Sequence, residues 1–157
     1  MKFAHAAFNI LDINPLTADC ALGLPLIVLT VVIHVVALAL MRQRVHSISG
    51  LIWRPHGRTT FVALTGAATL SATCLHGIEA VIWAAAYWLL GALPDFRSSV
   101  LYSLNAMTSY GHTNLSLEGR WQLMGALEAL NGWLLFGLTT AFLFAVIHKA
   151  WVSDING

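Results

Sequence analysis

From Leu22 to Met41 the only polar side chains are those of Thr30 and His34. Wound as an α-helix, these roughly 20 residues reach about 30 Å, the thickness of the hydrocarbon core of a bilayer. Such a run must be buried in lipid or in a large apolar core, and composition decides between them. Of 157 residues 58% are hydrophobic and 10% are Asp, Glu, Lys or Arg, where a soluble domain carries roughly 25% charged residues. Eight basic against seven acidic residues leave a net charge of +1, too little positive field to hold a nucleic-acid backbone. The cysteines Cys20 and Cys74 fit neither a disulfide framework nor a CxxC metal or redox motif.

Two further apolar stretches run from Phe61 to Leu93 and from Trp121 to Ile147. The expected fold is therefore an all-α membrane protein with three transmembrane helices, at 22–41, within 61–93 and at 121–147. Pro94 is expected to stop the second, since it cannot continue a helix and biases its predecessor toward extended backbone. Residues 1–21 lack the basic start and short apolar core of a cleaved signal peptide, so they are expected to remain as an extracytoplasmic segment. No soluble regulatory domain is expected in the tail, 148–157. Arg42, Arg44, Arg54 and Arg58 crowd the connection 42–60 and Lys149 follows the third span, whereas Lys2, Arg97 and Arg120 lie on the other side. By the positive-inside rule the N-terminus is outside and the C-terminus cytoplasmic. A short amphipathic helix in 42–60 would be broken by Gly50, Pro55 and Gly57. Trp53, Trp83, Trp88, Trp121 and Trp151 are candidates for interfacial anchors or for helix contacts.

Between the second and third spans, the segment from Asp95 to Leu117 is too apolar for an ordinary exposed loop. Ser98 or Ser99 can cap a short helix, and Val100, Leu101, Leu104 and Met107 recur at helical spacing. A helix at about 98–108 would be roughly 15 Å long, half of a bilayer, so it can enter the membrane but not cross. Its return, Thr108-Ser109-Tyr110-Gly111-His112-Thr113-Asn114, is tolerable at depth only when buried in protein or lining a wet cavity. The negative end of the helix would face the membrane centre and favour a cation there. These features predict a re-entrant pore loop.

The order of helix, half-helix, Thr108-Ser109-Tyr110-Gly111-His112, then Gly119-Arg120-Trp121 and Met124-Gly-Ala-Leu-Glu-Ala-Leu-Asn-Gly-Trp-Leu-Leu-Phe-Gly-Leu-Thr-Thr-Ala141, resembles the pore module of small bacterial ion channels of the potassium-channel superfamily. The resemblance covers about 61–147 and leaves the first span as an addition. It implies a homotetramer in the bacterial inner (plasma) membrane. Four filter loops, residues 108–113, would meet on one axis and replace an ion's water shell with carbonyls. Monovalent cations would sit at the Thr108, Ser109 and Tyr110 carbonyls. Potassium or another monovalent cation is then the transported ion, the lipid bilayer and sister subunits are the only partners, and no resident cofactor is implied. The family filter reads Thr-Val-Gly-Tyr-Gly-Asp. Matched on Tyr110-Gly111, Met107 stands at Thr, Thr108 at Val, Ser109 at the first Gly and His112 at Asp. Moving the register to use Thr108 as the hydroxyl ligand leaves the filter one residue short. A non-glycine residue in the left-handed conformation of that first Gly costs about 1–2 kcal/mol, so weakened potassium selectivity is expected. A ring of His112 at the mouth, with an ordinary imidazole pKa near 6.5, would repel entering cations in mild acid; alternatively His112 bonds within its loop.

Glu128 lies about 10 Å into the third span, with Asn131 on the same face. As a costly intramembrane carboxylate it is expected to brace the half-helix, at Asn105 or Ser103, or to bind ions. Gly132, Gly137 and Ala141 allow close helix packing, or by the resemblance a hinge. Thr139 and Thr140 are candidates to line an inner cavity. His76 and Glu79 share a helix face and could bond each other, carry a proton or, with His34, hold a metal or haem. The competing classes are a b-type haem subunit ligated by His34 and His76, and a non-conducting accessory subunit that keeps the pore fold. No nucleophile–base pair, carboxylate pair or phosphate loop suggests an enzyme.

Overall fold

The computed structural model of the protein describes residues 14–52, 57–111 and 115–155. All regular structure among them is helical: α1 (Pro15–Ile52), α2 (Gly57–Leu90), α3 (Phe96–Thr108), a 3-10 turn (Gly119–Trp121) and α4 (Gln122–Ile155). Among the described residues three stretches are long and apolar enough to cross a membrane, Leu16–Val45, Phe61–Leu90 and Gly119–His148.

The long helices outrun the expected spans. The 38 residues of α1 would extend roughly 57 Å, well beyond a hydrocarbon core. Met41, Arg42, Gln43 and Arg44 are all good helix formers, so the helix does not end where the apolar run does. It also passes Gly50, because a glycine costs only about 1 kcal/mol in a helix. Much of the expected connection 42–60 is thus helical; Trp53, Arg54 and Pro55 lie outside the described residues. Pro25 sits inside α1, and its missing N–H is tolerated in a membrane helix when neighbouring groups satisfy the freed carbonyl.

The second helix ends earlier than Pro94. Gly91 takes a left-handed φ of 68°, its N–H bonds the Trp88 carbonyl at 3.1 Å, and Ala92 N–H bonds the Tyr87 carbonyl at 2.9 Å. This pair of bonds closes a helix end around a glycine, so Gly91 rather than Pro94 is the stop.

Contacts divide the described chain into two compact units. The first joins the described residues up to Val31 with Gly77–Leu134, the second Val32–His76 with those from Leu135 on. The core of the first consists of Trp83, Tyr87, Ala92, Leu93, Tyr102, Ala106, Leu117, Trp121 and Met124, with Leu22, Leu26, Ile27 and Leu127 packed against it. Tyr87 and Tyr102 meet edge to face, with centroids 5.3 Å apart. Trp83 and Trp121, interfacial candidates in the sequence, are therefore core residues, whereas Trp88 is partly exposed at 38%. In the second unit His34, Leu38, Ala68, Ala72, Leu75, Leu135 and Thr139 are buried.

Candidate functional site

The site is the half-helix α3 and the chain that leaves it. Asp95, not Ser98 or Ser99, caps its start: the carboxylate accepts from Ser98 N–H at 2.9 Å and from Ser98 Oγ–H at 2.8 Å. Those bonds, the backbone one foremost, hold the Asp95 carboxyl below its usual pKa. Ser99 turns its hydroxyl back to the Asp95 carbonyl at 3.0 Å. At the other end Ser109 N–H bonds the Ala106 carbonyl and Tyr110 N–H the Asn105 carbonyl, both at 3.1 Å. Ser109 is left-handed, with φ 53° and ψ 26°, so α3 closes as α2 does but with serine where glycine is favoured.

The 13 residues of α3 span roughly 20 Å. Its buried face is Ser99, Tyr102, Ser103 and Ala106, while Leu101 and Leu104 are 45% and 41% exposed. The apolar spacing seen in the sequence is real, but the face it marks looks out of the single chain. What holds the inner face is Glu128 of α4, fully buried. It accepts from Tyr87 O–H of α2 at 2.7 Å and is bonded to Ser103 Oγ of α3. Ser103 Oγ also lies 2.7 Å from the Ala80 carbonyl. One hydroxyl proton serves one acceptor at a time, so the Ser103 hydroxyl is shared between the Glu128 carboxyl and the Ala80 carbonyl. Of the two anchors expected for Glu128, Ser103 is the one the structure brings to it. Asn105 is half-buried and contributes its carbonyl to the helix end.

The C-terminal turn of α3 rests on backbone. A Cβ added to Gly132 of α4 would lie 2.8 Å from Met107 Cα and 2.9 Å from its carbonyl carbon, so only glycine permits this approach. Beside it Trp133 Nε1–H donates to Ser109 Oγ at 3.0 Å. Gly137, by contrast, has open space where a Cβ would be, and Ala141 is exposed, so the packing expected of them is not made within the described chain.

The expected filter begins inside the helix. Thr108 is the last residue of α3 and donates its hydroxyl to the Leu104 carbonyl at 2.7 Å, and Ser109 closes the helix. Tyr110, 85% exposed, and Gly111, with φ 91°, follow. His112 and Thr113 lie outside the described residues.

Sequence reasoning missed how α1 joins this unit. Asp19 Oδ2 accepts from Met124 N–H at 3.3 Å in the first turn of α4. Thr30 Oγ1 accepts from Asn131 Nδ2 at 2.9 Å and donates to the Leu26 carbonyl at 2.8 Å. A Cβ on Gly23 would meet Leu127 Cδ1 at 2.7 Å. Asn131 thus shares burial with Glu128 but serves α1 instead. Polar residues inside a span were the available signal, and Thr30 and Asn131 both carried it.

In the second unit His34 Nε2 and His76 Nε2 lie 3.0 Å and 3.1 Å from Thr139 Oγ1, with ring centroids 5.1 Å apart. Thr139 and His34 are buried and His76 is half-buried, while Thr140 is exposed and bonds the Phe136 carbonyl at 2.9 Å. The two Nε2 atoms that axial haem ligation would use are thus both engaged by the Thr139 hydroxyl. Comparison of the chain with protein-family models, with curated proteins and with solved structures gives no match.

Proposed function

We propose that the chain is one subunit of a potassium-channel-like pore that passes monovalent cations passively, with weakened potassium selectivity. Four copies would surround one axis in a bacterial inner membrane, N-terminus outside and C-terminus cytoplasmic. The observation that carries this reading is α3: a helix too short to cross, set between two spans, with its polar face bound inward to Glu128 and its leucines facing out. In an isolated soluble chain that arrangement would be inverted. It suits a helix whose outer side is covered by sister subunits or lipid.

The half-helix directs its negative end toward Tyr110 and Gly111, where a cation is favoured. Trp133 and Gly132 hold that end in place. Leu130, Trp133 and Leu134 of α4 are 55%, 65% and 50% exposed and supply further apolar surface for sister chains. Filter-like loops that lack the ordinary glycine pattern coordinate less uniformly, hence the weakened selectivity.

Purified protein reconstituted in liposomes tests this. The expected result is a potassium-driven flux through a tetramer, with a potassium-over-sodium ratio below that of ordinary potassium channels. A tetramer without flux identifies a non-conducting accessory subunit instead, and a monomer without flux removes the proposal.

A further inference from the structure

Residues of α4 meet α3 in order along the chain. Glu128 is bonded to Ser103, Gly132 lies against the Met107 backbone and Trp133 reaches Ser109. The first two contacts advance by the same number of residues on each helix, so α3 and α4 run side by side in one direction here. The next residue of α4 therefore falls level with the chain that leaves α3.

Ser109 has a left-handed φ of 53°, a conformation that L side chains disfavour. Such backbone persists where the bonds around it over-determine it. Two of those bonds close the helix, Ser109 N–H to the Ala106 carbonyl and Tyr110 N–H to the Asn105 carbonyl. The third comes from outside α3: Trp133 Nε1–H donates to Ser109 Oγ at 3.0 Å. Trp133 is 65% exposed, so burial does not fix its ring, and at membrane depth no water is present to bond an indole N–H. A glycine at 109 would take the left-handed backbone without strain but would leave that N–H without its acceptor. Ser109 and Trp133 thus answer each other.

We propose that Trp133 is a positioning residue that sets ion specificity: through Ser109 it fixes the backbone from Ser109 to Gly111, and with it how strictly potassium is told from sodium. Carbonyls select among ions by the number and disposition they keep around the ion, so a looser loop discriminates less. The effect on ions rests on the channel reading; the hold on the loop does not.

The test uses the full chain in lipid nanodiscs and in liposomes. Trp133→Phe keeps an aromatic ring and removes the N–H, and Ser109→Ala keeps Cβ and removes the acceptor. Each should speed amide exchange at Tyr110, relative to Leu101 within α3, by about three- to tenfold, as for loss of one hydrogen bond, and the double variant should be no faster than either. Each should also lower the potassium-over-sodium ratio of the tetramer. A role confined to stability would lower the unfolding midpoint and leave that ratio unchanged. Unchanged exchange at Tyr110 in the folded variants, additive effects in the double variant, or an unchanged ion ratio in a conducting tetramer would overturn the proposal. Absence of flux through wild-type tetramers contradicts the channel reading instead, and the exchange comparison then decides whether Trp133 holds the loop.

Discussion

Glu128 joins α2, α3 and α4 through two hydroxyls, those of Tyr87 and Ser103. Its replacement separates hydrogen bonding from charge. Glu128→Gln keeps an acceptor for Tyr87 and a donor for Ser103, so stability in detergent should change by less than about 1 kcal/mol, as for exchange of one satisfied hydrogen bond for another. Glu128→Ala leaves the Tyr87 hydroxyl buried without its acceptor, and should lower stability by roughly 1–3 kcal/mol with a further loss from the cavity. Equal losses in both variants, measured by chemical unfolding, would show that charge is what matters. Glu128 was legible in the sequence because a carboxylate inside an apolar run has to be explained. Tyr87 was not, since a tyrosine among apolar residues looks like any other core aromatic. Asp19 was missed because it precedes the apolar run, where an acid needs no partner; only the fold carries it to the start of α4.

At the scale of the element, α3 is held at both ends and along one face, and each hold can be removed. Gly132→Ala would drive a methyl group into the Met107 backbone, which cannot yield as a side chain can. Small-to-large changes in packed sites cost typically 1–3 kcal/mol, so this variant should unfold at lower denaturant than wild type, whereas Gly137→Ala, with open space, should not. Asp95 adds a pH dependence. Its carboxyl pKa is lowered in the folded chain by hydrogen bonds from Ser98, so its contribution is full above the ordinary carboxylate range and is lost as pH falls below about 4. Amide exchange at Ser98, corrected for intrinsic rates, should therefore become faster relative to the middle of α3 at pH 3 than at pH 6, and Asp95→Ala should abolish the difference. Helix existence was readable from apolar spacing, but helix ends were not. The cap was expected at Ser98 or Ser99 and is Asp95, and the stop was expected at Pro94 and is Gly91; a carboxylate on the Ser98 N–H decides the first and short-range backbone bonds the second.

For the whole molecule, length and hydropathy were enough to expect three spans, and the described residues contain three helices long and apolar enough for that. The proposed assembly is not legible in the same way, because residues that a symmetric contact would cover are simply exposed apolar residues in one chain. Leu101, Leu104, Leu130 and Trp133 are exposed in that way. If His112 rings the mouth of a tetrameric pore, cation flux should fall as external pH drops below about 6.5, and His112→Ala should flatten that profile; a profile unchanged by the substitution would place His112 off the path. The most direct measurement is a cryo-electron-microscopy structure of the protein in lipid nanodiscs with potassium present. The proposal predicts fourfold symmetry, α3 within the bilayer, and ion density on the axis beside Tyr110 and Gly111. A monomer, or a Tyr110–Gly111 segment lying on the outer membrane surface away from sister chains, would contradict it.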